Sequence, residues 1–304
     1  TLPIVQPMFA ALNLDPIWLG VIVVKYIEIG LLTPPVGFRM QGAMRRTEGS
    51  VGIESPLLAT ALILADEQTK IVILDCDLIG FDLPLAERIR KTVSNRVDTP
   101  KSHVTVGCTH THNGPCTARS ALGGVHDVGG EPAEREALDA YIETLVGQLA
   151  GIAEVADSNR KPARAAAGRG TAPVAINREE HNSDGRILVG RNPDGTTDHS
   201  VDVLRVDDLD GNPIAVLTSY AAHPVVMGYH TYLLSPDYPG VVRRIVEQVT
   251  GATCLFLTGA AGNHQCGRLP FQHSLGHDPT GFFPPGLLAA MSFAVDEFTP
   301  LIGH

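Results

Sequence analysis

The chain has 304 residues, 44% of them hydrophobic and 18% charged, which is enough to bury a sizeable core as one large domain or two. Its 23 Lys and Arg against 33 Asp and Glu give a formal net charge of −10, with no basic run, which argues against nucleic acid or an anionic membrane as the main partner. Five cysteines, an odd number without a Cys-x-x-Cys pair, argue against a disulfide scaffold and a thiolate zinc knuckle.

The first 36 residues differ in character from the rest of the chain. Residues 17–32 are almost wholly apolar, interrupted by Lys25 and Glu28. A spanning helix needs about 20 apolar residues, and a central lysine costs about 2.5–3.5 kcal/mol, so this stretch is a poor transmembrane helix by itself. We predict an apolar helical segment, with a buried core helix as one interpretation.

From residue 38 onward, strand-like and helix-like segments alternate. Apolar runs at 57–64 and 71–74, bounded by Asp, Glu and Gly, indicate buried strands. Further strands are predicted at 104–106, 201–206, 214–220 and 254–257, and helices are predicted from Asp82, Pro132 and Pro239, with Asp237 as the cap of the last. The turn at 210–212 makes one strand pair antiparallel, whereas helices separate other strands. These patterns predict an α/β fold, a mixed sheet with flanking helices, preceded by the apolar helical segment.

Two histidines follow the predicted strand at 104–106. His110 and His112 stand at i and i+2, and because extended backbone has a period of two, both rings point the same way. Asn113-Gly114-Pro115 then forces a turn that holds the pair at a strand end. Zinc needs neutral imidazole nitrogens at about 2.0–2.1 Å, which a shared face can supply. Metal ligation is one interpretation, and polar strand-end histidines without a ligand are the other.

A second strand of small residues also ends in a histidine. In the segment 219–224, His223 is followed by Pro224, which stops strand pairing and fixes the turn. A lone histidine of this kind is consistent with an ordinary strand end, but two such sites favour convergence on a metal. Asp75 and Asp77, at alternate positions after the strand at 71–74, are interpreted either as an acid pair behind the site or as simple strand-end carboxylates.

These motifs resemble a known family. Residues 109–115, Thr-His-Thr-His-Asn-Gly-Pro, are similar to the Thr-His-Thr-His-Ser-Gly-Pro motif of the neutral/alkaline ceramidases, and residues 219–224 resemble the later strand of that family with its zinc-binding histidine. Other matches, in the same order, are Ile176-Asn177-Arg178, Ser235–Gly240 and Thr258–Asn263. The resemblance extends from about residue 33 to 267 and implies the catalytic N-terminal domain of a metal-dependent amide hydrolase.

The resemblance also implies roles for particular residues. His110 and His223 are the implied ligands of one Zn²⁺ per site, and His112 is a close-by acid–base or oxyanion partner and a further candidate ligand. Arg178 is implied as a cation that positions the substrate and takes part in catalysis, whereas the sequence alone favours a solvated charge cluster with Glu179 and Glu180.

The loop after the strand at 254–257 departs from the family pattern. The family continues to a catalytic Ser-Pro-Asn, whereas here Gly262-Asn263 is followed by His264-Gln265-Cys266-Gly267. We assign Asn263 and His264 to catalysis, and Gly262 and Gln265 to substrate binding. Because no serine is present, a metal-activated water, whose pKa is near 7 on zinc, is the predicted nucleophile. The remaining zinc ligands of the family, a Glu and a Tyr, fall beyond residue 304.

The N-terminal segment resembles a different family, the large membrane subunit of TRAP-type dicarboxylate transporters near its C-terminal end. The residues that carry this likeness are 2–5, 15–24 and 28–37. Thr33–Gly37 also matches the Thr-Pro-Pro-x-Gly turn that opens the ceramidase domain, and is therefore a candidate fusion seam. We predict a transporter-like apolar segment at 1–37 and a ceramidase-like hydrolase domain at 38–304 that is incomplete at its C-terminus. With no initial Met, the chain is expected to be a fragment.

The sequence as a whole predicts a zinc-dependent hydrolase of a C–N (amide-type) bond, ceramidase-like, acting on a small-molecule or lipid amide. One alternative is a catalytically incomplete remnant or binding module, and another, supported by residues 1–37 only, is a fragment of a membrane transporter. No nucleic-acid partner is expected. Membrane association through residues 1–37 stays open, as does the compartment, cytoplasm or periplasm. Residues 1–32 are expected to pack poorly on the hydrolase domain.

Overall fold

The computed structural model describes residues 50–115, 117, 132–228 and 231–266, with short strand segments at 40–41, 120–121 and 126–127. The apolar segment at 1–37 lies outside the described residues, so its helical character and its packing stay predictions. Among the helices that the structure describes, none combines the length and apolar character needed to cross a membrane.

The described chain alternates short and long strands with α-helices. The strands are β1 Met40–Gln41, β2 Gly52–Ile53, β3 Ala59–Ala65, β4 Lys70–Cys76, β5 Val104–Cys108, β6 Gly114–Pro115, β7 Ser120–Ala121, β8 His126–Asp127, β9 Ala163–Thr171, β10 Ala175–His181, β11 Ile187–Asn192, β12 Ser200–Asp208, β13 Pro213–Tyr220, β14 Leu233–Leu234, β15 Thr253–Thr258 and β16 His264–Cys266. The helices are α1 Leu83–Arg96, α2 Pro132–Ser158 and α3 Asp237–Thr250, with a 3-10 turn at Lys101–His103.

The first sheet has the strand order β3-β4-β5, with an antiparallel pair and then a parallel pair. Helix α1 begins where predicted, because the Asp82 carboxylate accepts a hydrogen bond from the Leu85 N–H at 2.9 Å. Its apolar stripe, Leu85, Ile89 and Val93, is buried against this sheet together with one face of α2. This apolar packing fixes the positions of β4 and β5, and therefore of the residues that follow them.

The second sheet has the order β15-β13-β12-β9. The predicted hairpin is present, with β12 and β13 antiparallel and Gly211 in the turn at φ +87°, where glycine has no steric penalty. Strand β15 pairs parallel to β13, and α3 covers the sheet with Val242 and Val246. Because β13 and β15 are parallel, their carboxyl ends lie at the same edge.

A third sheet, β11-β10-β16, and three two-stranded pairs complete the described strands. The mixed α/β class is therefore confirmed, but the single mixed sheet that we predicted is divided into several small ones. Strands β9 to β11 did not appear in the sequence pattern, because most of their side chains are polar, small or exposed and show no apolar alternation.

The start of helix α3 differs from the sequence-based expectation. Asp237, predicted as the N-terminal cap, is instead the first helical residue and has a left-handed φ of +57°, while the capping position is held by Pro236. The buried Asp237 carboxylate accepts hydrogen bonds from the N–H groups of Val226, Met227 and Tyr238. Asp237 therefore fastens the segment that follows His223 to the helix.

The first two sheets meet where their parallel strands end. The Thr258 hydroxyl, at the end of β15, donates to the carbonyl of Thr109, directly after β5, at 2.5 Å. The residues after β4, β5, β13 and β15 are thereby brought to one place, and the histidines predicted as ligands belong to these residues.

Candidate metal centre

His110 is held in an unusual backbone conformation directly after β5. Its φ of +65° lies in the left-handed region, which is uncommon for a residue with a Cβ atom. Its N–H donates to the carbonyl of Leu78 at 3.0 Å, and its ring Nδ1 bonds the carbonyl of Ile79 at 2.6 Å. The chain after β4 therefore fixes both the backbone and the ring of His110.

His223 is held in the same manner from the opposite side. It follows β13, its N–H donates to the carbonyl of His264 at 2.9 Å, and its ring Nδ1 bonds the carbonyl of Ala261 at 3.0 Å. Strand β13 ends at Tyr220, three residues before His223 rather than at the predicted histidine, and His223 forms an isolated bridge with Gln265 before Pro224, which cannot donate a hydrogen bond. The loop after β15 thus orients His223 as the loop after β4 orients His110.

The two rings face each other through their remaining nitrogens. Nε2 of His110 lies 3.1 Å from Nε2 of His223, within the separation of about 3–4 Å that the metal hypothesis requires. A carbonyl oxygen can only accept, so each Nδ1 carries the hydrogen and each Nε2 presents a lone pair. Facing lone pairs repel, unless a cation lies between them. Two nitrogens about 2.0–2.1 Å from one tetrahedral ion are separated by about 3.3 Å, so the arrangement fits a shared metal.

His112 completes a group of three histidines. Its ring centroid lies 5.2 Å from that of His110 and 5.0 Å from that of His223. One ring nitrogen from each of the three residues lies within 4.8 Å of the others, so together they could hold one metal ion. Neutral imidazoles suit zinc and several other transition metals, and the donor set alone does not select among them.

The surroundings of His110 and His223 favour the neutral form of both rings. Burial, followed by the charge of Arg178 and the neighbouring His110, lowers the pKa of His223 to about 4, against the opposing hydrogen bond to Ala261. Burial and the Arg178 charge also lower the pKa of His110. Because only the neutral ring can bind a metal, the lowered pKa values favour ligation over protonation.

We expect His223 of the metal-free protein to titrate near pH 4 rather than near the ordinary value of about 6.5. The neutral ligand form is then present throughout the range between these values, where an ordinary histidine becomes protonated. Between about pH 7.5 and about pH 5.5, proton competition at an ordinary histidine lowers apparent metal affinity about tenfold, but at His223 by less than about twofold. Histidine-resolved NMR titration measures this directly, and a midpoint near 6.5 would contradict it.

Arg178 and the loop at 259–264 border the same group. The Arg178 N–H donates to the carbonyl of Asn263 at 2.8 Å, and its Nε donates to the carbonyl of Gly262 at 2.9 Å. A Cβ atom placed on Gly262 meets no heavy atom within 4 Å, so the loop is open on that side. The predicted roles of Arg178, Gly262 and Asn263 stay predictions, but all three adjoin the residues that hold His223.

The side chains of His264 and Gln265 are directed to a different part of the protein. Nε2 of His264 bonds the carbonyl of Thr196 at 3.3 Å, and the Gln265 amide donates to the carbonyl of Gly190 at 2.9 Å. The roles predicted for them, catalysis for His264 and substrate binding for Gln265, require a side chain directed towards the histidines, and these two hydrogen bonds lead elsewhere. The backbone of this strand, in contrast, does adjoin the site, because Gln265 forms a bridge with His223.

Sequence reasoning did not identify the groups that orient the histidines. The acceptors at Ile79 and Ala261 are backbone carbonyls, which carry no residue-specific signal. For Asp77 the sequence leaves open an acid pair behind the site or a simple strand-end carboxylate; in the structure it is wholly buried and accepts a hydrogen bond from Thr109, the residue before His110. The one available signal was the pair of acidic residues directly after a continuous apolar strand.

Together, the mixed α/β fold and the three histidines define a protein with a candidate metal site and an open loop beside it. The chain belongs to the neutral/alkaline non-lysosomal ceramidase family: residues 31–257 match the model of its N-terminal domain. Residues 1–50 match the DctM component of the tripartite ATP-independent periplasmic transporters. The two matches overlap at 31–50, which includes the predicted seam at 33–37.

Two solved structures share the fold. One, described as a ceramidase complexed with C2, has 19% sequence identity and a TM-score of 0.59 over 78% of this chain and 37% of its own. The other, a neutral ceramidase from Pseudomonas aeruginosa, has 18% identity and a TM-score of 0.56 over 87% of this chain and 42% of its own. The chain thus spans about two fifths of the length of these proteins.

Proposed function

We propose that this chain is the metal-binding portion of a hydrolase that cleaves a C–N, amide-type bond in a ceramide-like or other small-molecule amide. The proposal rests mainly on the 3.1 Å distance between Nε2 of His110 and Nε2 of His223. The other ring nitrogen of each histidine, Nδ1, is hydrogen-bonded to a backbone carbonyl. This arrangement presents lone pairs to a common point. Membership of the ceramidase family supports amide hydrolysis as the reaction.

In this proposal His110 and His223 hold the ion, expected to be Zn²⁺, with His112 beside them. When bound, the ion polarises the substrate carbonyl and activates a water molecule. Arg178 is a half-buried cation next to the histidines, and it offers a positive charge to the carbonyl oxygen as that oxygen becomes negative. His112, beside both ligands, is suited to accept or donate a proton at the reacting atoms.

The loop at 259–264 has two roles in this proposal. Its carbonyls at Ala261 and Gly262 orient His223 and Arg178, and its open side at Gly262 lets a substrate approach the backbone closely. Gln265 stands where the family has its serine and is anchored to Gly190, so it does not act as a nucleophile. A water nucleophile is consistent with this substitution.

Metal removal tests the proposal. We expect the full-length protein to purify with about one metal ion per site, to lose hydrolysis of N-acyl sphingoid and short N-acyl amine substrates after chelation, and to regain it with Zn²⁺. Metal content by elemental analysis, together with product release, gives the result.

Two outcomes would change the interpretation. Unaltered hydrolysis in the metal-free protein would exclude a metal mechanism. Stable metal binding without hydrolysis of any amide would favour the alternative, a binding module or catalytically incomplete remnant.

A further inference from the structure

A buried ionic cluster lies directly behind His110. Arg243, on α3, contacts Asp75 at 3.4 Å and also pairs with Asp77, and all three side chains are almost fully buried. Asp75 also accepts the N–H of Phe256 at 2.8 Å, so the cluster joins β4, β15 and α3. Buried charges are expensive to maintain, and replacing such groups with well-packed apolar residues is often neutral or stabilising. Stability alone therefore does not explain why the cluster is here.

The cluster continues from Asp77 to the residue before His110. One oxygen of the Asp77 carboxylate accepts the Thr109 hydroxyl at 3.1 Å, and the other accepts the N–H of Leu58 at 2.8 Å and the Arg243 guanidinium. The carboxylate is thus held by two groups, the Leu58 N–H and the Arg243 guanidinium, in addition to its bond with Thr109. Its position is set by β3 and α3 rather than by the loop that carries the histidines.

Both the side chain and the backbone of Thr109 form hydrogen bonds. Its side chain is fully buried, its N–H donates to the carbonyl of Cys76 at 2.9 Å, and its own carbonyl accepts the Thr258 hydroxyl. The next residue, His110, takes up the left-handed conformation. A non-glycine residue keeps such a conformation only where its surroundings determine it, and the bonds to Thr109 add to the constraint that the Leu78 and Ile79 carbonyls place on His110.

We propose that Thr109 and Asp77, backed by Arg243, are positioning residues that hold His110 at its metal-binding angle. The inference rests on the proposed metal role of His110 but concerns a different set of groups. The bond from the Thr109 hydroxyl to Asp77 holds the Thr109 side chain and its Cα in place. The peptide that joins Thr109 to His110 is held by the Thr258 hydroxyl and the Leu78 carbonyl, so a fixed Thr109 sets the direction in which the His110 ring leaves the backbone. The ring can then bond Ile79 with Nδ1 and present Nε2 to His223 at the same time.

The test compares Thr109→Val with Thr109→Ser in the full-length protein. Valine keeps the shape of threonine but lacks the hydroxyl, whereas serine keeps the hydroxyl. We expect Thr109→Val to weaken Zn²⁺ binding by about 10–100-fold and to alter the visible absorption bands of bound Co²⁺, which report ligand geometry. Thr109→Ser should restore both towards the parent protein.

Thr99→Val is the matched control for loss of a buried hydroxyl. Thr99 is buried, and its hydroxyl donates to the carbonyl of Lys70 at 2.7 Å, away from the histidines. We expect Thr99→Val to lower the melting temperature as Thr109→Val does, without a change in metal affinity or in the Co²⁺ spectrum. Equal loss of stability in both variants, with parental metal binding in Thr109→Val, would overturn the proposal.

A measurement without metal separates this inference from the proposed function. In the metal-free protein, ¹⁵N NMR of the His110 ring should show the Nδ1–H tautomer in the parent and a mixture of tautomers in Thr109→Val. This difference is expected even if the parent binds no metal, an outcome that would reject only the proposed function. An unchanged His110 spectrum in Thr109→Val would overturn the positioning role.

Discussion

Replacing His110 with alanine is expected to remove metal binding and amide hydrolysis together. The change deletes one of the two nitrogens that face each other at 3.1 Å and leaves His112 and His223 without the third member of their group. Loss of groups that only orient metal ligands already costs about 10–100-fold, so loss of a ligand should lower metal affinity and the hydrolysis rate by more than about 100-fold. Metal analysis and initial rates on the purified variant measure both.

Two further variants make this result specific. His103 also bonds a carbonyl through Nδ1, that of Lys70 at 3.2 Å, but it stands before β5 rather than after it, so His103→Ala should retain metal and activity. Gln265→Ala should lower the rate only modestly, because its amide is committed to Gly190. Total loss in Gln265→Ala would mean that Gln265 performs essential chemistry, and retained metal in His110→Ala would exclude His110 as a ligand.

The largest effect on stability is expected from Arg243→Met. Burial raises the pKa of Asp75 to about 7, even though the Arg243 charge opposes the shift. Methionine fills a similar volume but leaves Asp75 and Asp77 without their buried cation. Breaking a buried pair from one side costs about 3–5 kcal/mol, and we expect a fall of this size in the free energy of unfolding, measured by urea denaturation.

Arg169→Met provides the control for removal of an ion-paired arginine. Arg169 makes a two-pronged pair with Asp202, but both side chains are more than half exposed, so water replaces the partner. Exposed pairs contribute about 0–1 kcal/mol, and the expected change in unfolding free energy lies in that range. Similar losses in the two variants would show that the Arg243 cluster is no more important to the fold than a surface pair.

Much of the local structure, and the three histidines that form the candidate metal site, follow from the sequence. Apolar runs and a capping carboxylate located β3, β4 and α1, because burial and helix termination follow local patterns. The histidines at 110, 112 and 223 were recognisable because each follows a strand and precedes a turn-forming Pro or Gly. Strands β9 to β11 were not predicted, because their polar and exposed residues do not alternate with apolar ones.

The groups that surround the histidines become apparent in the folded protein alone. The approach of His110 to His223 joins residues 113 positions apart, and the carbonyls that orient them come from the ends of β4 and β15. Every residue has a backbone carbonyl, so the sequence does not show which carbonyls accept these hydrogen bonds. Local propensity also does not predict a left-handed φ at a histidine. The Asp77–Thr109 bond and its support by Arg243 likewise depend on sheets and a helix that meet only after folding, since each partner lies on a separate element.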